Sequence, residues 1–316
     1  MPILVHTCRM DLQPLSRLLH ALADPARLRL LALCRRGELS VNELTAASDM
    51  SQPRVSRHLR ILVEAGALRR FREAHWVYYR LASEGEAAAL VQEALQRLSG
   101  GDEAIRADAR RLDEVLAARA REAREAAGGD SEAALPPSAW ASLEQATRRV
   151  AHAALGPEGF GELLDIGTGG GRMLRLLGPD ARRAIGVDIS RPMRLAARNA
   201  LRDAGLAHCS VRDADMYSLP FPGASFDTVV MARVLTGAQR PWDATREAAR
   251  VLRPRGHLLV MDLLPEGIPV EAWCRSLRDW LSEAGLELAE EQRLSLPRGT
   301  AVIGLTRGMP AQARAA

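Results

Sequence analysis

The sequence predicts a multidomain protein of two fold classes: a small α+β unit at the N-terminus and a larger α/β unit behind it, joined by a helix. Three observations carry this. Short, well-capped helices followed by an alternating hairpin pattern fill the first hundred residues. A charged Ala/Arg/Glu-rich stretch then runs from Asp102 to Ala127 between glycine breaks. Further on, a short apolar strand enters Gly167-Thr-Gly-Gly-Gly171, with an acidic residue, Asp188, 21 positions after Gly167. At 316 residues the chain is long enough for two domains, given about 100–200 residues for each. The boundaries read as 1–98, a linking helix within 99–139, and 140–316.

No apolar run approaches the roughly 18–20 residues of a membrane span, and the first ten residues lack the basic start of a signal peptide. The expectation is a soluble, cytoplasmic protein with no membrane partner. Cys8, Cys34, Cys209 and Cys274 stand singly, which argues against a zinc knuckle, a dithiol motif or a disulfide framework. All 43 basic residues are arginine, as a GC-rich genome would produce. Residues 1–83 hold 13 arginines against 7 acidic residues, while 99–140 hold 6 against 9. A nucleic-acid partner is therefore sought at the N-terminus.

Leu12, Leu15, Leu18, Leu19 and Leu22 recur at helical spacing. Asp24-Pro25 supplies a cap and a first-turn proline for a second helix, Ala26 to Arg35. Ser40-Val-Asn-Glu43 is a capping box that starts a third. Ser51 caps a fourth, with Pro53 tolerated in its first turn, running to Glu64 before Gly66. Leu68–Arg72 and Trp76–Leu81 alternate as strands around Glu73-Ala-His75. Two short helices and a basic hairpin are the parts of a winged helix-turn-helix. The fourth helix carries Gln52, Arg54, Ser56, Arg57, His58 and Arg60, and positions 52, 56 and 60 share one face. Gln and Ser read base edges, and Arg serves bases or phosphates. Arg69, Arg70, Arg72 and Arg80 of the wing are placed along the DNA backbone.

Leu22–Leu31, Ser51-Gln-Pro-Arg-Val-Ser-Arg-His-Leu59 and Trp76-Val-Tyr-Tyr-Arg-Leu81 resemble the arsenical-repressor (ArsR/SmtB) family of bacterial repressors over residues 11–98. The resemblance implies a homodimer, paired through the first helix and one near Glu84–Leu98, on inverted-repeat operator DNA. Many members sense metals through two cysteines at the start of the third helix. Here Ser40 and Asn42 stand in their place, and a soft-metal site needs thiolates. The helix near Glu84–Leu98 has no His, and Cys8 with Cys34 is a disfavoured arsenite pair. No metal is expected.

In the second domain, Gly161–Ile166 reads as a strand before the glycine turn, Arg172–Leu177 as a helix, and Ala184–Val187 as a strand ending at Asp188. The interval fits an acidic group on a ribose, with glycines admitting the ligand. The third glycine of a dinucleotide fingerprint is absent, and Asp165 beside the turn suits a cationic methionine-type ligand better than a pyrophosphate. Cys209–Phe221, Ala224–Met231 and Gly256–Leu263 supply further strands, and Trp273–Ala284, Leu286–Gln292 and Thr300–Thr306 close the order helix, strand, strand.

Residues 140–307 resemble class I S-adenosylmethionine-dependent methyltransferases, a Rossmann-like fold. The resemblance assigns Asp165, Gly167, Gly169 and Gly171 to the amino-acid end of the ligand and Asp188 to the ribose hydroxyls, with Ile189 beside it in the binding set. It assigns Asp215 and Met216 to the adenine. Met193 packs on the ligand, while Met231, Ala232 and Arg233 face its methyl or thioether; for both methionines, ordinary core packing is the competing reading. Related repressor–methyltransferase fusions carry a His-His pair where this chain reads Val234-Leu-Thr-Gly-Ala-Gln239, and an aromatic lid segment where Ala126–Pro137 has none. Binding glycines kept without these substrate-side features favour ligand sensing over turnover. The chain also resembles adenosylhomocysteine-responsive regulators, with S-adenosylmethionine or S-adenosylhomocysteine as effector. The alternative is an active methyltransferase with a regulatory DNA-binding domain.

Overall fold

The computed structural model describes residues 10–73, 76–82, 85–126, 135–153, 159–297 and 299–308. The chain forms two compact units, Met1–Arg121 and Glu122–Ala316. No helix among the described residues is long and apolar enough to cross a membrane.

In the first unit, α1 (Leu12–Leu22) and α2 (Pro25–Cys34) are separated by the Asp24 cap, whose carboxylate accepts from the Arg27 backbone N–H at 3.1 Å. The capping box at Ser40 forms as the spacing requires. Ser40 Oγ accepts from Glu43 N, and the Glu43 carboxylate accepts from Ser40 N, opening α3 (Val41–Ser48). Asp49 turns left-handed at φ 54° to end it. Ser51 occupies the N-cap position of α4 (Gln52–Glu64) but makes no side-chain cap hydrogen bond. Its hydroxyl is therefore not committed to the helix end. The strands β1 (Leu39–Ser40), β2 (Leu68–Glu73) and β3 (Trp76–Leu81) form an antiparallel sheet in the order β1-β3-β2. The tip of the wing, 74–75, lies outside the described residues.

After α5 (Glu86–Gln96) comes α6 (Glu103–Ala126), in the stretch whose narrow apolar stripe and mixed charges read as a solvated connecting helix or, alternatively, as a contributor to dimerisation. Most of α6 instead belongs to the first unit. Leu112 and Leu116 are buried in the same apolar cluster as Leu30, Leu44 and Leu59. Several of its charges are committed as well. The Asp108 side chain is 2% exposed and accepts from Arg29 Nε and Nη2, each at 2.7 Å, and from Arg111 Nη2 at 2.6 Å. Arg29 also donates to the Ser48 carbonyl at 2.7 Å, and Arg111 to the Ala47 carbonyl at 2.9 Å. Arg119 reaches the other end of α3 through Glu43 at 3.0 Å. A narrow apolar stripe with mixed charges hid this, because the charges are paired across elements distant in sequence.

The second unit begins with α7 (Pro137–His152). Its strands are β4 (Glu162–Ile166), β5 (Arg183–Asp188), β6 (Cys209–Asp213), β7 (Phe226–Ala232), β8 (Leu252–Leu264), β9 (Leu286–Leu296) and β10 (Gly299–Gly308). They lie in the order β6-β5-β4-β7-β8-β10-β9, parallel except for β10, which runs antiparallel to both neighbours. Side chains alternate between the faces of such a sheet. Leu163 and Val230 join α7, α8 (Arg172–Leu177) and α9 (Arg191–Asp203) on one side. Leu164 and Val229 join α10 (Pro241–Val251) and α11 (Val270–Glu283) on the other. This is a Rossmann-like fold. Successive strands proceed outward in opposite directions from β4 and β7, so the ligand crevice lies at the C-terminal ends of that pair.

Candidate functional sites

On α4, Gln52, Arg54, Ser56, Arg57 and Arg60 are all exposed, while Val55, Leu59 and Leu62 fix the opposite face in the core. Ser51 is exposed at its start, and Arg69, Arg70 and Arg72 are exposed on β2. Two expected members differ. Arg80, opposite Arg69 in the register, is only 8% exposed because β3 is the central strand of its sheet. Its side chain is thus largely withdrawn from the surface on which the sequence placed it. His58 is half-buried, and burial, with Arg27, Arg54 and Arg57 nearby, pushes its pKa below the usual value against the pull of Asp24.

Among the described residues no three His, Cys, Asp or Glu side chains gather to hold an ion. Ser40 is consumed by the α3 cap, and burial pushes the Cys34 thiol up to about 12. Cys8 lies outside the described residues.

In the second unit the turn after β4 is held by its neighbour strand. Thr168 N donates to the Val187 carbonyl at 2.9 Å, and Gly169 N donates to Asp188 Oδ2 at 2.9 Å. The other Asp188 oxygen accepts from Ser190 N at 2.8 Å, and Arg194 fastens the Asp188 carbonyl and Asp213. Asp188 thus orients the glycine turn while remaining partly accessible. Gly167 sits at φ 69°, where a Cβ would come within 2.6 Å of Val234 Cγ2. Gly169, at φ 50°, faces open space on its Cβ side, so the turn leaves a cradle that a side chain would fill.

Asp165 faces this cradle from the sheet. It shares Leu163's side of β4, is 1% exposed, and accepts from Thr168 Oγ1 through Oδ2 at 2.6 Å. Its Oδ1 is buried with no hydrogen-bond partner. Burial pushes this carboxyl up to about 7, Thr168 opposes the shift, and the nearby Asp188 charge adds to it. An unsatisfied buried acceptor costs roughly 1–3 kcal/mol, so a cationic donor at this position would relieve a standing penalty. The methionine-type ammonium of an adenosyl ligand has that chemistry, and the residues fit it.

The remaining residues divide. Ile189 is 73% exposed at the rim, Met193 is half-buried, and Met216 is partly buried against the core. Asp215 is exposed, its carboxylate accepting from Tyr217 N at 3.0 Å in a tight turn. Met231 is fully buried, because alternation along β7 turns it under α10 and α11. It offers no surface to a ligand, and core packing accounts for it.

Sequence reasoning missed the cover over this crevice. Arg233, held left-handed at φ 60° where β7 ends, lies 5.5 Å from the Trp140 ring centroid, and Arg172 lies 4.1 Å from it. Arg172 also pairs with Glu144 at 2.5 Å. Trp140 on α7 therefore stacks beside the glycine turn, although it stands after the stretch in which an aromatic lid was sought. Residues 127–134 of that stretch lie outside the described residues. Beyond Arg233, a cavity of about 250 Å³ is lined by Leu135, Thr236, Asp262, Pro265 and Leu296 among others. Asp262 accepts from Thr236 N at 3.0 Å, and burial pushes its carboxyl above the usual range.

Comparison with known proteins agrees with both units. Residues 24–69 match the bacterial regulatory protein family arsR, and residues 164–260 match a methyltransferase domain. An arsenic resistance transcriptional regulator of Pseudomonas putida is 55% identical over 64 residues, covering 20% of this chain and 50% of that protein. The arsenical resistance operon repressor of Escherichia coli is 43% identical over 81 residues, covering 25% of this chain and 69% of the repressor. The chain belongs to the arsR family. Its methyltransferase part is similar to the 27-O-demethylrifamycin SV methyltransferase of Amycolatopsis mediterranei, 36% identical over 141 residues, covering 42% of this chain and 52% of that enzyme. The chain spans about half the length of the Pseudomonas regulator and of the methyltransferase. This arsR-family chain thus combines a DNA-binding domain with a methyltransferase domain whose fold implies binding of S-adenosylmethionine or S-adenosylhomocysteine.

Two outcomes follow from these surfaces. The folded-state pKa of Asp165 is raised, so its contribution to stability is complete below its ordinary value near 3.8 and is lost as pH rises through about 7. The ligand-free protein should lose thermal stability over that window, and Asp165→Asn should flatten the loss; parallel pH profiles would refute the assignment. On DNA, Gln52→Ala should relax base preference at one position. Arg72→Ala should weaken every sequence alike and lower the salt slope by about 1. Uniform losses for both variants would contradict this division.

Proposed function

We propose that the chain is a homodimeric transcriptional repressor whose methyltransferase-fold domain binds S-adenosylmethionine or S-adenosylhomocysteine as an effector. The observation that carries the reading is the attachment of α6 to the helix-turn-helix. Arg29 and Arg111, gathered on Asp108, hold the last two carbonyls of α3, and a three-residue turn then leads into the recognition helix α4. In the chain α6 precedes the second unit, and on this proposal it is the element that carries a ligand effect to α4. Exposed Leu12 and Leu19 on α1 support pairing of two copies.

Asp165 and Gly169 would receive the amino-acid end of the ligand. Asp188, with Ile189 at the rim, would take the ribose, and the Asp215–Met216 turn would receive the adenine. A ligand shifts operator binding only if its affinity differs between the DNA-competent and incompetent states. Allosteric couplings are typically about 1–3 kcal/mol, or about 5–150-fold.

Fluorescence anisotropy on DNA from the protein's own upstream region, at fixed salt, tests this. Saturating S-adenosylmethionine or S-adenosylhomocysteine should shift operator affinity at least about fivefold, and Asp188→Ala should abolish the shift while leaving unliganded DNA binding intact. Operator binding indifferent to both ligands would overturn the sensor reading.

A second reading, methyl transfer, is favoured by the 250 Å³ cavity next to Arg233. Gly167 packs against Val234, and Thr236 N donates to Asp262, so one short segment joins the adenosyl cradle to that cavity. An acceptor there would have Asp262 within the cavity wall as a base. Product S-adenosylhomocysteine formed in the presence of an acceptor, and lost in Asp262→Asn with adenosyl binding retained, would establish it.

A further inference from the structure

The first unit contains a cavity that the DNA-binding face does not use. It encloses about 220 Å³ between α2, the end of α5 and the start of α6. Leu33, Leu95, Leu98 and Ile105 give it apolar walls, and Arg29, Arg35, Arg36 and Asp108 give it a charged rim. Arg29 and Arg111 share Asp108, and Arg36 pairs with Asp113. Arg35 is exposed and has no ion-pair partner among the described residues. Of the three rim guanidiniums, Arg35 alone is therefore unpaired at the mouth of the apolar pocket, among the described residues.

We infer that this cavity is a second ligand site, for a small carboxylate with a short apolar tail. The tail replaces water against the leucine walls, and Arg35 takes the carboxylate in a charge-assisted pair. The volume lies below the roughly 300–1,000 Å³ of pockets for drug-sized ligands, which limits the ligand to a single unbranched chain of about eight carbons or fewer. A carboxylate on Arg35 also lies beside Arg29, whose guanidinium holds both Asp108 and the Ser48 carbonyl. A second anion there competes for Arg29 and loosens the hold of α6 on the end of α3. Occupancy therefore lowers operator affinity without the adenosyl site.

Octanoate is the probe, with octylammonium as the control of equal tail and opposite charge. Calorimetric titration of the full chain without DNA should give saturable octanoate binding and none for octylammonium. Arg35→Gln, an exposed position outside the fold's core, should weaken octanoate at least about tenfold and leave S-adenosylhomocysteine binding unchanged. Leu98→Trp, which fills the cavity, should abolish octanoate binding. In anisotropy, octanoate should weaken operator binding by the wild-type chain and not by Arg35→Gln. Absence of saturable binding, equal binding of octylammonium, or equal affinity in Arg35→Gln would overturn the site. Binding that passes these tests but leaves operator affinity unchanged would overturn the competition for Arg29. Because the titration contains neither DNA nor adenosyl ligand, its result is independent of the effector reading above.

Discussion

The buried carboxylate of Asp108 is the interaction on which the first unit's organisation rests. A carboxylate removed from water is tolerated only when its oxygens are fully paired, and here two arginines from different helices meet on it. Each arginine also donates to a carbonyl at the end of α3. One acid therefore ties α2, α3 and α6 together at the turn that aims α4. Breaking a buried pair costs about 3–5 kcal/mol, and the partial exposure of Arg29 and Arg111 places this one at the lower end. Leu112 and Leu116, one and two turns further along α6, add the apolar grip that keeps those charges in register.

The second unit is organised around the opposite situation. Asp165 is as deeply buried as Asp108, yet one of its oxygens has no donor. The open side of Gly169 and the partly accessible Asp188 lie on the same turn. Packing alone would not retain such an acid, since an apolar side chain would serve the sheet better. An environment that lacks a cationic donor, next to space for one, is the physical signature of a binding site. Trp140 of α7 lies between Arg172 and Arg233 beside the same turn.

Local signals were legible in the sequence and long-range pairings were not. The Asp24 cap, the Ser40–Glu43 box, the hairpin strands and the glycine turn after β4 all depend on residues within a few positions of one another, and they formed where their spacing placed them. Ser51 took the N-cap position without capping, and Arg80 turned inward, because neither outcome is decided locally. Met231 followed the alternation of β7 into the core. The incorporation of α6 into the first unit depends on partners about 60–80 residues away in sequence, beyond what periodicity reports. The Arg172–Trp140–Arg233 stack was hidden for the same reason.

If α6 carries adenosyl occupancy to the recognition helix, the coupling must be reciprocal. The most direct test is the affinity of S-adenosylhomocysteine and S-adenosylmethionine, measured by calorimetry with the protein free and saturated with operator DNA, for the wild-type chain and for Asp108→Asn. The account predicts that operator changes adenosyl affinity by the same factor as the ligand changes operator affinity, and that Asp108→Asn brings that factor towards one. Adenosyl binding identical with and without operator, or a full factor surviving in Asp108→Asn, would contradict it.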